Sequence, residues 1–441
     1  MCDGINRRDF LKVGALGGLT LSQLLAAEQV AGGGRKHKAL IMIYMAGAPP
    51  HQDLIDLKPD APKEYRGILN PISTNVSGIQ ISELLPNLAK IMDKWSGIRS
   101  IIGAPNGSHD SFMCYSGRKG STFNTSGQAS GGWPSIGATL SKLQGTTKAG
   151  VPPFIGLAPK AGHPPYGASG KPGFLGAAHG PFKPTNHSKG DLVLNGVTEG
   201  RFGRRKSLLE RFDLFRRDVD ASGRLVGMDA FTEQALGILT SSKMADAMNL
   251  EKESLKSRER YGKGDVKNFG DGAPRNNTHF LLARRLVEAG ARVVTLNFGR
   301  WDFHDKIYDQ KSGVNGHAPI FDQGLAALIQ DLHDRGMDKD VAVVAWGEFG
   351  RTPKINAKGG RDHWPNVSCA FISGGGMNHG QMIGASDKHA AEPAQRPVHM
   401  GEVHATMYHH MGLDPNSITL PDLTGRPQYL VDGWKPMPEL I

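Results

Sequence analysis

Cysteine is nearly missing from this chain. Its 441 residues hold three, Cys2, Cys114 and Cys369. At most one disulfide could join the last two, and the spacing matches no zinc cluster, so neither device holds the fold together. A membrane-spanning run is missing too. The one weakly apolar stretch near the start, residues 13–27, is too short and too rich in glycine to cross a bilayer. Acidic residues are in the minority, with 42 Asp and Glu against 52 Lys and Arg, a formal charge of +10. That balance favours anionic partners such as phosphate or sulfate esters, acidic glycans or nucleic acid, and does not choose among them. Backbone punctuation, by contrast, is plentiful. The 58 glycines and 27 prolines imply long loops around the core elements. An apolar content of 39% is ample for a core, and the length allows one large α/β domain or two or three smaller ones.

The chain opens with Asn6-Arg7-Arg8-Asp9-Phe10-Leu11-Lys12 ahead of the weakly apolar stretch. This order resembles a twin-arginine export signal occupying residues 1–34, which predicts passage through the twin-arginine machinery to the periplasm or cell envelope. The alternative is an ordinary N-terminal helix that begins with two basic residues. Residues 1–34 carry three Lys or Arg and three Asp or Glu, so their removal leaves the charge balance unchanged.

Short apolar, β-branched runs predict strands at 38–45, 97–102, 292–298, 341–346 and 368–373. Helices are expected over 84–95, 279–289, 318–335 and 402–411. Residues 119–198 are rich in Gly, Pro, Ser and Asn, with little periodicity, and predict a long irregular region. Residues 201–217 read as one side of an amphipathic helix, a solvated face rather than a nucleic-acid patch. Helices then continue through 229–261 as a small insertion. Strand and helix alternate elsewhere, so the class is α/β: a mainly parallel central sheet flanked by helices, with a Gly/Pro-rich loop region and the helical insertion at about 119–262.

Ligands of open α/β sheets sit beyond the carboxyl ends of the strands. Four such loops carry chemistry. Asp53 follows the first strand, as a metal ligand or a turn residue. Ser108 and His109 follow the second, as a metal-activated hydroxyl beside an imidazole or as a polar turn. Asp302 and His304 follow the strand at 292–298. Asp362 and His363 lie beyond the strand at 341–346, as a hard oxygen and a nitrogen for Zn²⁺ or Mn²⁺ or as a capping Asp and a surface His. Four sets at corresponding strand ends would supply a two-metal centre of the kind that clamps an in-line displacement, with Zn, Mn, Ca or Mg as the ion. Cys114-Tyr-Ser-Gly-Arg118 comes close to the formylglycine signature of sulfatases but has Ser116 at its third position.

Several stretches carry a family likeness: Asp53-x-x-Asp56-x-Lys58-Pro59, Tyr65-Arg66-Gly67, 81–86, 258–262, 281–290, Trp301-Asp302-x-His304, Gly347 to Pro353, Gly360-Arg361-Asp362-His363 and His404-Ala405-Thr406. With the leader, they resemble the domain-of-unknown-function 1501 family, exported proteins similar to the alkaline phosphatase/sulfatase superfamily. The resemblance implies one alkaline-phosphatase-like domain over 35–441. It further implies a metal-dependent hydrolase acting on an anionic small-molecule or glycan ester. Position by position, it makes Asp53, Asp302, His304, Asp362, His363 and His399 metal ligands, with His404 or Asp387 as alternatives for the last. Ser108 and His109 fall near the nucleophile. Independently of the resemblance, a hydrolase of this kind would use Arg118, Arg351 or Arg361 to hold the oxyanion. A catalytically silent cell-envelope binding protein on the same fold is the rival expectation.

Overall fold

The computed structural model describes residues 37–118, 131–184 and 242–441. The expected leader, the basic segment 201–217 and the first part of the expected helical insertion, 229–241, lie outside these residues. Ala39 to Ile441 form one unit, built on an eight-stranded sheet.

Ala39–Tyr44 (β1) is buried along its whole length. Alternation along a strand sends successive side chains to opposite faces, and here both faces are covered. Ile41 and Ile43 pack with Leu282 and Leu286 of the helix Thr278–Ala289 and with Phe321, Leu325 and Leu328 of the helix Val314–Asp334. Leu40, Met42 and Tyr44 pack instead with Ile136 and Leu140 of Ile136–Gln144 and with Val403 and Met407 of Met400–His410. A sheet covered on both sides needs continuous apolar strands, which is why these runs read so plainly. Each fully buried Leu, Ile or Phe in the two cores contributes about 1.5–3 kcal/mol.

The remaining strands of the central sheet are Trp95–Ile102 (β2), Phe154–Gly156 (β3), Val293–Asn297 (β4), Val341–Trp346 (β5), Ser368–Gly374 (β6), Met382–Ile383 (β7) and Val398–His399 (β8). Their order is β7-β2-β6-β5-β1-β4-β3, with β8 also beside β2. Every pairing is parallel except those of β6, which runs opposite to both β5 and β2. The expected α/β class with a mainly parallel sheet is therefore present. Strands β1, β2, β4 and β5 point the same way, and the loops leaving their carboxyl ends share one edge.

Two local expectations fail. The helix expected over 84–95 is a single turn, Pro86–Ala89, then a 3-10 turn at Met92–Lys94, and Trp95 already opens β2. Tertiary bonds override the local pattern here. Asp322 accepts from the backbone N–H groups of Asn87 (2.9 Å) and Leu88 (2.8 Å), and the Trp95 indole donates to the Leu88 carbonyl at 3.0 Å. The irregular region also contains ordered elements, the helix Ile136–Gln144 and the short strand β3 behind two prolines. Among the described residues, no helix is long and apolar enough to cross a membrane. Cys114 and Cys369 are both buried free thiols.

Candidate metal centre

Three loops at the shared sheet edge bring four ligating side chains together. Asp302 follows β4, and its Oδ1 lies 3.0 Å from His304 Nε2, 3.1 Å from His363 Nε2 and 3.4 Å from His109 Nε2. The Nε2 atoms of His304 and His363 are 2.9 Å apart. The ligating atoms of His109, Asp302 and His363 all lie within 4.8 Å of one another. His304 extends it.

The outer nitrogen of each imidazole is tied to an oxygen acceptor. His109 Nδ1 faces Glu348 Oε1 at 2.7 Å, His304 Nδ1 faces Asp362 Oδ1 at 2.7 Å, and His363 Nδ1 faces the Gly107 carbonyl at 2.5 Å. With Nδ1–H donated outward, each Nε2 of a neutral ring is left with a bare lone pair aimed at Asp302 Oδ1. Bare lone pairs about 3 Å apart repel unless a cation lies among them. Protons can bridge these contacts only one ring at a time, whereas a single metal ion accepts all of the lone pairs. Tetrahedral bonds of about 2.0–2.1 Å imply ligand edges of roughly 3.3 Å, close to the spacings here, so the residues fit a metal.

The scaffold around the centre is buried and rigid. The fully buried Arg351 spans three loops: it bonds to Asp302 Oδ1 at 2.6 Å, to the Ala48 carbonyl at 3.0 Å and to the Arg361 carbonyl at 3.2 Å, as well as to the Gly47 carbonyl. Gly47 has φ +93° and lies so close to the β4 loop that a Cβ would meet the Asp302 nitrogen at 2.8 Å. Gly360 is equally constrained, since a Cβ there would meet the His304 carbonyl carbon at 2.1 Å. These contacts set the protonation of the centre. Burial works against charging His109, but its bonds to Asp302 and Glu348 outweigh that and raise its pKa to about 9. Burial likewise opposes ionisation of Asp302, yet His109, His363 and Arg351 hold its carboxyl far below the usual carboxylate range.

The expected site residues divide cleanly. Asp302, His304 and His363, expected as ligands, converge. His109, expected beside Ser108 near the nucleophile, converges with them. Asp362 stands one layer out, orienting His304 through Nδ1 and accepting from Asn356 at 3.2 Å. Asp53 is absent from the group. Its carboxylate accepts from Arg361 Nε at 2.9 Å and from the Tyr308 hydroxyl at 2.6 Å, forming a buried ion pair. His399 is also absent. It caps the helix Met400–His410, accepting from the Gly401 N–H at 3.0 Å, and its ring stacks on Trp434 at 3.9 Å. His404 is buried against the Cys114 carbonyl (3.0 Å), and Asp387 closes a local turn.

Arg118 pairs with Asp432 and lies 4.0 Å over the Trp133 ring, so its guanidinium is engaged elsewhere. Cys114 sits buried in the short helix Phe112–Ser116, as a free thiol. Ser108 lies between Gly107 and His109 and lines a cleft. Sequence reasoning missed Glu348, although a carboxylate directly after a strand is the signal that found Asp302. His163 and Tyr166 pack edge-on against the His109 ring at 5.5 and 5.0 Å.

No curated protein matches the sequence. Among solved structures, the fold is similar to PsFucS1 sulfatase from Pseudoalteromonas sp., with 13% identity over 93% of this chain and 72% of that one, at a TM-score of 0.36. It is also similar to the lipoteichoic acid synthase LtaP from Listeria monocytogenes (12%, 86% and 73%, TM-score 0.37). A third is the phosphonate monoester hydrolase SpPMH from Silicibacter pomeroyi (12%, 88% and 76%, TM-score 0.34). The family model described as "Protein of unknown function (DUF1501)" matches residues 37–441, nearly the whole chain, and the protein belongs to that family.

Proposed function

We propose that this protein is a metal-dependent hydrolase of phosphate or sulfate esters, exported by the twin-arginine route to the periplasm or cell envelope. The observation that carries the reading is the convergence of three imidazole Nε2 atoms on one Asp302 oxygen, each ring oriented from behind by an acceptor. Backing acceptors of this kind accompany histidines that bind metals. One ion accounts for this donor set, in place of the two expected, because Asp53 and His399 are committed to other partners. Three nitrogens and one oxygen suit Zn²⁺ better than Mg²⁺ or Ca²⁺, which prefer oxygen shells.

When bound, such an ion supplies a Lewis acid that polarises an ester oxygen. The chain's own residues do the rest. His109, His304, His363 and Asp302 hold the ion, while Glu348, Asp362 and the Gly107 carbonyl fix the three rings. Ser108 presents the hydroxyl that this reading requires as acceptor of the transferred group, and the charge of +10 favours an anionic ester.

The test is elemental analysis of the mature chain purified without chelator, beside His363→Ala, followed by a screen of aryl phosphates and sulfates. Near-stoichiometric zinc that disappears in the variant, together with turnover, is the expected result. A chain that takes up no metal after reconstitution would sink the reading and leave a binding protein on this fold.

A further inference from the structure

Resting on the metal-centre reading, we propose that the substrate carries a second anionic group, bound by Lys171 and Lys183 in the wall of the cleft beside His109. The cleft encloses about 940 Å³. That lies at the upper end of the range for sites that bury small molecules, far more than an inorganic oxyanion fills. Ser108 and His109 line it, and so do Trp133, Pro165 and both lysines.

The three guanidinium groups that the sequence offers for an oxyanion are all committed inside the protein: Arg118 to Asp432, Arg351 to Asp302, and Arg361 to Asp53. Among the described residues, the two cleft lysines are not. Neither ammonium group has an ion-pair or hydrogen-bond partner among the described residues. Lys183 is half-buried, and burial pulls its pKa below the ordinary lysine value. A partly desolvated, unpaired cation is unfavourable until an anion joins it. Trp133 supplies a fixed apolar wall, with the Arg118 guanidinium 4.0 Å over its ring and Phe174 edge-on at 6.1 Å. An anionic ester whose organic portion bears a further carboxylate, sulfate or phosphate matches this combination.

The experiment is calorimetric titration of the zinc-loaded protein with benzenesulfonate and benzene-1,3-disulfonate at fixed ionic strength. The proteins are the full mature chain, Lys171→Gln with Lys183→Gln, and Lys183→Arg. Two partly exposed ion pairs predict about tenfold tighter binding of the disulfonate. The ratio falls to about one in the double Gln variant, whose monosulfonate affinity and metal content stay unchanged, and it survives in Lys183→Arg. A ratio of one in the unaltered protein overturns the subsite and leaves the metal centre standing. A lysine-dependent ratio in a chain that binds no metal keeps the subsite and sinks the centre. If neither sulfonate binds, the subsite falls, and the measured zinc content decides the centre separately.

Discussion

Metal uptake by this site should compete with a proton on His109, and the structure sets the scale of that competition. Without an ion, the bonds to Asp302 and Glu348 hold the His109 proton to a pKa of about 9, against an ordinary value of about 6.5. Coordination needs the neutral ring, so binding must expel this proton. At pH 7 roughly one molecule in a hundred has released it, which lowers the apparent affinity about a hundredfold below its plateau. Affinity should therefore rise about tenfold per pH unit from 7 to 9 and level off above that. Titrating zinc into the apoprotein in two buffers of different protonation enthalpy should show one proton released per ion at pH 7. Glu348→Gln keeps an oxygen to accept from Nδ1 but removes the charge, so the plateau should begin at a lower pH. The same proton stabilises the metal-free fold. Because the folded pKa is raised, about 3 kcal/mol of stability is present in full below pH 6.5 and is lost as pH climbs through 9. Zinc affinity that stays flat from pH 7 to 9, with no proton released, would refute the placement of His109 in the centre.

The buried histidines His51, His279 and His404 have the opposite sign. Burial lowers each to a pKa of about 4, so stability should fall as pH drops from about 6.5 towards 4, by up to about 3 kcal/mol per group, read as an acid unfolding curve. Asp53→Ala leaves the Arg361 charge buried and unpaired. It should cost about 3–5 kcal/mol in chemical unfolding, while the folded fraction keeps its metal. His399→Ala removes a helix cap and a ring stack and should cost about 1–2 kcal/mol, with the metal content unchanged. Ser108→Ala should retain metal and lose ester turnover; undiminished turnover would remove Ser108 from the reaction.

The features legible in the sequence were those that depend on position along the chain. Buried strands announce themselves as apolar runs, so β1, β4 and β5 and the loops bearing His109, Asp302, His304 and His363 were all located. Direction is a different matter. A fully buried strand reads the same whether its partners run with it or against it, so the reversal of β6 left no mark in the sequence. Side-chain aim is also invisible. Asp53 and Asp302 both follow strands, yet only the fold decides that Asp53 meets Arg361 while Asp302 meets three imidazoles. His399 had a local signature, a residue three positions before Glu402 at a helix start, but histidine is not among the usual capping residues. Lys171 and Lys183 lay in a stretch without periodicity, and only the cleft gives them a shared role.

Apart from the neighbouring Asp302 and His304, the centre is built from distant parts of the chain. Some 239 residues separate His109 from Glu348, the group that orients it, and His363 lies 61 residues from Asp302. An unfolded chain therefore offers an ion no more than the local Asp302 and His304 pair, and full coordination has to wait until the sheet edge has closed. The ion is then chosen in whichever compartment the chain folds, so export in the folded state would carry forward the metal of the departure side. Because the ion recognises the closed edge alone, free metal should raise the unfolding midpoint in proportion to the logarithm of its concentration, with chelation reversing the gain.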